Sequence, residues 1–279
     1  MKVINRTEGI NEYMYHRSSS YEYGKYLEFL GIKIIEIGKQ YGWMKHIFGG
    51  LFQIVKYERI DEEPNVEDLR KKGFKRGMLI WVPKLTTNIP KGWKKMWINF
   101  EFTLTGFSVI EDENYYKKWK TRGKRARKKY LENPDLSIQQ VNEEIFQKYY
   151  KELKIKQVLK RNFIEYHHNI SQIDKRGVIR NFICFYDDEA IAGLSVLDYN
   201  ETSSVHLVSF ITKKGKQYQA GTGLIDYWFN DSLKKGIKYI NFDHLRDKYM
   251  SFDQKGYSDF KENFMDYKIS FKDAYFKFI

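Results

Sequence analysis

Runs of apolar and β-branched residues recur along the whole chain, and most of them end at glycine, proline, asparagine or aspartate. This pattern is typical of strands that are buried on one or both faces. It predicts strands at 32–37, within 44–57, and at 78–82, 97–104, 136–138, 178–186, 189–199, 204–212 and 239–243. Asp187-Asp188 predicts a tight hairpin between two of these strands, and Gly49-Gly50 predicts a turn within 44–57.

Between the strands, segments that end at glycine or at Asn133-Pro134 predict helices. The predicted helices cover 66–72, 113–131, 142–158, 162–174, 224–235 and 256–261. In the helix at 142–158, Ile145, Tyr149 and Leu153 share one face, so we expect this face to pack on a core. The alternation of helices and strands predicts an α/β fold with mixed sheets flanked by helices.

A glycine turn within the last seventy residues has the pattern of a ligand site. The strand at 204–211 leads into Gly221-Thr222-Gly223, and then into a helix and another strand. Glycines that open a helix let a ligand approach N–H groups and the positive end of the helix dipole, which suits a phosphate. An ordinary helix cap gives the same short motif, but the strands on both sides favour a donor-binding turn.

Asp243 and His244 end the strand that follows, at a position where catalytic groups gather in α/β folds. An amine must lose a proton before it attacks an acyl carbonyl, so a carboxylate or an imidazole is chemically suited to this place. The alternative, with equal weight, is an aspartate that caps the loop and a histidine on the surface.

The chain carries a net charge of +13, and its densest basic run is 117–129, with nine basic residues and no acidic one. Such a cluster attracts polyanions such as nucleic acids, nucleotide diphosphates or anionic lipid. The alternative is a solvated helix face. We expect the polyanion to contact Arg122, Lys124, Arg125, Arg127 and Lys128.

The single cysteine, the length of the apolar runs and the two adjacent histidines limit the kinds of site and location that we expect. Cys184 is the single cysteine and lies in an apolar strand, which indicates an inert core thiol, no disulfide and a cytoplasmic location. No run approaches the roughly 20 apolar residues that span a bilayer, although the chain can still visit a membrane surface. The adjacent His167 and His168 would point about 100° apart on a helix, so we expect no metal site and no tightly bound cofactor.

The order of elements in residues 113–279 resembles the acyl-donor half of GNAT-type N-acyltransferases. It is most similar to the Fem family, the aminoacyltransferases that build peptidoglycan cross-bridges. Members of that family carry a Phe-Lys pair near the C-terminus and a basic helix between two GNAT-like subdomains. Phe260-Lys261 and the run 122–129 match these two features. The resemblance implies two GNAT-like lobes, 1–140 ending in a basic helix at 113–132, and 141–279 carrying the donor turn.

The resemblance also implies a function, the transfer of an aminoacyl or acyl group to an amine. The donor would be aminoacyl-tRNA rather than acyl-CoA, because Tyr218 stands where acetyl-CoA enzymes usually place Arg or Gln. The acceptor would be an amine on a nucleotide- or lipid-linked cell-wall precursor. Lys261 would stabilise the oxyanion or a substrate phosphate beside Asp243 and His244. The donor would contact Phe210, Gly221, Thr222, Gly223 and Phe260.

Two alternatives to this function remain at this point. One is a CoA-dependent N-acyltransferase, and the other is a non-catalytic nucleic-acid-binding protein built on the same fold. For Lys261 itself, the alternative is a solvated lysine beside a core ring.

Overall fold

A computed structural model describes residues 2–4, 24, 27–28, 31–37, 40–60, 62–85, 88–97, 103–152, 167–168, 179–246 and 255–279. The strands are β1 (Lys2–Ile4), β2 (Lys33–Ile37), β3 (Gln40–Ile47), β4 (Phe52–Glu58), β5 (Gly77–Val82), β6 (Lys94–Lys95), β7 (Leu104–Val109), β8 (Leu136–Val141), β9 (Ile179–Tyr186), β10 (Glu189–Asn200), β11 (Ser203–Ile211), β12 (Tyr239–His244), β13 (Tyr267–Ser270) and β14 (Tyr275–Phe278). The α-helices are α1 (Val66–Lys71), α2 (Thr121–Leu131), α3 (Glu143–Glu152), α4 (Lys213–Gln217), α5 (Ala220–Lys234) and α6 (Lys255–Lys261).

The chain forms two compact units that each draw on separate stretches of sequence. Unit 1 contains 106–243 and 255–267, and unit 2 contains 2–105, 244–254 and 268–279. The basic helix α2 lies in unit 1, together with β8 to β11. The division into lobes at residue 140 stays a prediction. No helix among the described residues is long and apolar enough to cross a bilayer.

Unit 1 is built on a mixed sheet whose strands follow the order β7-β12-β11-β10-β9-β8. The pairs from β8 to β11 are antiparallel, and β11 pairs with β12 in parallel. Asp187 and Asp188 both adopt positive φ, 46° and 62°, and form the two-residue hairpin that the sequence predicts. Cys184 is fully buried in β9, and burial raises the pKa of its thiol to about 12.

Unit 2 is built on a six-stranded mixed sheet in the order β2-β3-β4-β5-β14-β6, in which only β4 and β5 pair in parallel. The last strand, β14, pairs with β5 although about two hundred residues separate them in sequence. Buried aromatic and aliphatic side chains, including Val55, Tyr57, Leu79 and Trp81, form its core. The predicted α/β fold with two mixed sheets flanked by helices is confirmed.

Three element predictions need correction. The basic helix begins at Thr121 rather than at 113, because Tyr115–Lys118 forms a 3-10 turn and Trp119 leaves helical geometry. The donor turn is already helical, since α5 begins at Ala220. In α3, Phe146 and Tyr150 are buried while Ile145 is 41% exposed, so the core-facing side differs from the predicted one. Leu153, most of the predicted helix at 162–174 and part of the strand at 97–104 lie outside the described residues.

Candidate active site

The N-terminus of α5 is set by an abrupt change of direction after α4. Gln219 adopts a left-handed conformation with φ 60°, and its carbonyl accepts the N–H groups of Thr222 and Gly223 at 2.9 and 3.1 Å. Thr222 is buried, so its hydroxyl belongs to the interior rather than to an open turn. Within 221–223, the backbone that a ligand can reach is therefore mainly that of Gly221, which is half-buried.

Gly221 and Phe260, two of the predicted donor contacts, lie side by side. A Cβ atom at Gly221 would be 3.3 Å from the Phe260 ring and 3.3 Å from the Ile211 side chain. Phe260 in turn packs edge-to-face on Phe264, with ring centroids 4.9 Å apart. The structure thus brings the glycine turn of α5 and the Phe-Lys pair of α6 together in unit 1.

Gly223 and Phe210 have a packing explanation that the sequence did not reveal. The space beside Gly223 is occupied by the Tyr130 ring of α2, which a Cβ atom would overlap. The Phe210 ring fills the space beside Gly193 on β10 and contacts Phe146. Both residues therefore serve the core of unit 1, and a role for them in donor binding stays a prediction.

Replacing Gly223 with valine is expected to destabilise unit 1 by roughly 1–3 kcal/mol, because the branched side chain must displace the Tyr130 ring. Urea unfolding checks this value, with Gly221→Ala as the control because a Cβ atom there comes no closer than 3.3 Å to a neighbour and needs shifts of only a few tenths of an ångström. The Tyr130→Ala background should remove most of the cost of Gly223→Val. An equal cost in both backgrounds would contradict the packing explanation.

Lys261 is buried, with a relative exposure of 2%, so the alternative reading of a solvated lysine is wrong. Its Nζ donates to the carbonyl oxygen of Phe242 in β12. The ammonium also lies 4.0 Å from the ring centroid of Tyr257, one helical turn earlier in α6. A buried ammonium is costly unless it is paired and hydrogen-bonded, and these contacts supply that compensation. The charge is thereby fixed at the end of β12.

Tyr257 connects Lys261 to a second buried group. The Tyr257 hydroxyl lies within 3.1 Å of the ring nitrogens of His206, and His206 Nε2 lies 3.1 Å from Ser209 Oγ. Burial raises the pKa of Tyr257, and the negative charge of Asp243 raises it further. His206 and Tyr257 were not predicted as site residues, since a lone histidine in a strand and a tyrosine in a helix carry no motif.

Asp243 occupies an unusual backbone position at the end of β12. It is buried and adopts φ 59°, a left-handed conformation that aspartate tolerates better than most residues, and its N–H donates to Asn241 Oδ1 at 2.7 Å. Such positions cluster at functional sites because the surrounding structure must hold them in place. His244 follows at the strand end and is half-buried. The structure thus places Asp243 next to the Phe242 carbonyl that binds Lys261.

The basic helix α2 has one packed side and one exposed side. Arg127 Nε donates to Asp226 Oδ1 at 2.7 Å, and the Tyr115 hydroxyl donates to the same carboxylate at 3.0 Å. Arg127 therefore anchors α2 to α5, which argues against the predicted contact with a polyanion. Four other predicted contacts are exposed: Arg122, Lys124, Arg125 and Lys128.

Arg180 is a buried ionic group that the sequence reasoning missed. Its guanidinium donates to Asp231 at 2.5 Å, to Asp198 at 2.7 Å and to Ser232 at 3.0 Å. These contacts tie β9 and β10 to the end of α5. The two histidines singled out in the sequence are also explained, since buried His167 lies 3.0 Å from Asn181 Oδ1 and exposed His168 lies 2.9 Å from Glu143.

Solved structures show which fold this arrangement belongs to. FemX shares 10% sequence identity with this chain, over 98% of this chain and 97% of that one, with a TM-score of 0.70. The chain has the fold of FemX. A conserved protein of unknown function from Bacteroides thetaiotaomicron gives a TM-score of 0.58 at 10% identity, over 99% of this chain and 98% of that one. L-PGS from Bacillus licheniformis gives 0.51 at 12% identity, over 99% and 93%.

At these identities the likeness to FemX concerns the fold alone. No family model matches the sequence, and a comparison with curated proteins gives no match. The likeness to FemX extends over 98% of this chain.

Proposed function

We propose that this chain is an N-acyltransferase that moves an aminoacyl group from aminoacyl-tRNA to an amine. The observation that carries the proposal is the buried Lys261, whose ammonium donates to the carbonyl of Phe242, the residue before Asp243 in β12. The FemX-like fold supports it, because the Phe-Lys pair and the glycine turn lie together as the resemblance to the Fem family implies.

The chemistry assigns a separate task to each group. The amine nitrogen attacks the carbonyl carbon of the aminoacyl ester, the new C–N bond forms, and the C–O bond to the ribose then breaks. Asp243 is suited to accept the amine proton, which passes on to the leaving hydroxyl. A cation that is already fixed stabilises the developing oxyanion without reorganisation. Because the Lys261 ammonium bonds the Phe242 carbonyl, Lys261 acts as a positioning and electrostatic residue.

The surroundings of Tyr218 favour tRNA over CoA as the donor. Tyr218 stacks on Tyr186 with ring centroids 4.6 Å apart, and Lys214 lies 4.3 Å above the Tyr186 ring. A hydrogen bond with Tyr218 raises the pKa of Tyr186 to about 12. The position that usually binds CoA phosphates through Arg or Gln is thus part of an aromatic pair. The exposed cations of α2 suit the phosphates of a tRNA.

The test of this proposal uses the different stability of the two acyl bonds. The protein is incubated with tRNA charged with labelled amino acids and with candidate amine acceptors, including nucleotide- and lipid-linked cell-wall precursors. Transfer converts an alkali-labile ester into an alkali-stable amide, which is measured directly. Label transferred from acetyl-CoA instead would establish the CoA-dependent alternative. Salt-dependent tRNA binding without any turnover would establish the non-catalytic alternative.

Reversing the charge of Lys124, Arg125 and Lys128 to glutamate is expected to weaken tRNA binding. Each lost phosphate contact removes roughly 0.7–0.9 from the slope of log K against log salt, so three contacts should lower the slope by about 2. The matched control reverses the exposed Lys91, Lys94 and Lys234, which gives the same change in net charge. Equal affinities and equal slopes in the two triple variants would instead support the alternative, in which the basic side of α2 is a solvated helix face.

A further inference from the structure

At one end of the unit 2 sheet, several large apolar side chains are exposed to solvent. Phe48 and Leu51 flank the Gly49-Gly50 turn between β3 and β4, and they are 77% and 83% exposed. Phe278 in β14 is 68% exposed, and its ring centroid lies 6.4 Å from that of Phe52. We call these four residues, Phe48, Leu51, Phe52 and Phe278, the apolar tip.

The backbone of the turn exposes these side chains at a conformational cost. Phe48 adopts φ 50°, followed by Gly49 at 64° and Gly50 at 93°. A phenylalanine with positive φ is strained, and asparagine, aspartate or glycine would satisfy such a turn more easily. A Cβ atom at either glycine would meet nothing within 4 Å, so the turn projects into open space. Folding alone therefore does not account for large apolar residues at this place.

The apolar tip is flanked by positive charge. Lys45, Lys75 and Arg76 are exposed at the same end of the sheet. Gln53 fixes the backbone of Lys75 and Arg76, because its N–H donates to the Arg76 carbonyl at 3.0 Å and its side-chain oxygen accepts the Lys75 N–H at 2.6 Å. The segments 44–54, 74–79 and 277–279, which form this end of the sheet, contain no aspartate or glutamate.

We propose that the apolar tip is a docking site for the surface of an anionic phospholipid bilayer. Phe48, Leu51 and Phe278 would enter the boundary between head groups and acyl chains, where aromatic rings are favoured. Lys45, Lys75 and Arg76 would face lipid phosphates. A protein partner fits less well, because three protruding side chains offer far less than the roughly 800 Å² that each side of a stable interface buries. This site lies in unit 2 and does not depend on the transfer reaction proposed for unit 1.

The first experiment is co-sedimentation with vesicles of mixed phosphatidylglycerol and phosphatidylcholine, compared with vesicles of phosphatidylcholine alone. We expect binding to the anionic vesicles that weakens as salt is added. The double variant Phe48→Ser, Leu51→Ser should bind at least about tenfold more weakly, because it loses two inserting apolar side chains. The matched control is Trp97→Ser. Trp97 is 85% exposed in the same unit but lies beyond Ala274, at the opposite end of β14 from Phe278.

The second experiment reports insertion directly. Leu51→Cys is labelled with an environment-sensitive fluorophore, which is selective because Cys184 is fully buried. On anionic vesicles the emission should shift to shorter wavelength and rise several-fold, whereas the same label at Trp97→Cys should not respond. Thermal unfolding confirms that each variant is folded. Unchanged vesicle binding by the double serine variant would overturn the proposal, and so would self-association that this variant abolishes without any binding to vesicles.

Discussion

Lys261→Met is expected to lower kcat for aminoacyl transfer by about a hundredfold or more, which corresponds to roughly 2.7 kcal/mol of transition-state stabilisation. The physical reason is the loss of a cation that the protein holds in place at the end of β12, where Asp243 follows the Phe242 carbonyl. KM should change little, because a cation that acts on the developing oxyanion stabilises the transition state rather than the bound substrate. Steady-state kinetics with the true donor and acceptor measure both constants.

The same substitution should also reduce stability. An exposed lysine can become methionine at almost no cost, but Lys261 is buried and its removal deprives the Phe242 carbonyl of a donor. Such a loss typically costs about 1–3 kcal/mol, so rates must be compared at temperatures where both proteins are fully folded. Lys261→Arg should recover part of the rate because it keeps the charge. Lys238→Met, which alters an exposed lysine of the same unit, serves as the control. A rate for Lys261→Met within about threefold of wild type, ~0.65 kcal/mol, would rule out the proposed role.

Arg180→Met is expected to destabilise unit 1 by about 3–5 kcal/mol, because it leaves the carboxylates of Asp198 and Asp231 without the guanidinium that compensates their charge. Urea unfolding measures this loss. Arg122→Met, at an exposed arginine, should stay within about 0.5 kcal/mol of wild type. Adding Asp198→Asn and Asp231→Asn to Arg180→Met should restore much of the stability, since no unpaired charge then remains buried.

The pH dependence of this variant gives a further check. Burial raises the pKa of Asp198 above its ordinary value even beside Arg180. A carboxyl whose pKa is higher in the folded state than in the unfolded state favours folding when it is protonated. The destabilisation that the buried carboxylate causes therefore decreases as the pH is lowered. The stability deficit of Arg180→Met should therefore shrink between pH 8 and pH 5. A deficit that stays constant over this range would show that lost packing, rather than unpaired charge, destabilises the variant.

Much of the fold could be predicted from local sequence because its signals are local. The strands β9, β10 and β11 agree with apolar runs to within a residue or so, and the Asp187-Asp188 hairpin follows from the tolerance of aspartate for positive φ. The end of α1 at Gly73, which has φ 98°, follows from glycine's freedom to adopt that conformation. The order of elements was enough to indicate a likeness to the Fem family, and the FemX-like fold agrees with it.

The candidate site was predicted less completely, because its residues act through contacts that are distant in sequence. The sequence singled out Phe260, Lys261 and Gly221, and the structure places Phe260 beside Gly221. Their role in donor binding or catalysis stays a prediction. Nothing in the sequence around Tyr257 or His206 marks them as neighbours of Lys261, since their contact joins α6 to β11. The charge run 117–129 likewise did not distinguish Arg127, which binds Asp226, from its exposed neighbours.

The sequence by itself determined the alternation of helices and strands, the positions of the turns and the concentration of positive charge, because each depends on residues within one or two turns of the chain. The tertiary structure decided which charged side chains are buried. It also decided at which glycines a neighbouring ring occupies the space beside the Cα atom. It also decided that the final strand β14 completes the sheet of unit 2. These outcomes depend on burial, which is set only when segments far apart in sequence pack together. Lys261 shows the difference, since its place in the motif was evident from the sequence, whereas its burial and its bond to Phe242 were decided by packing.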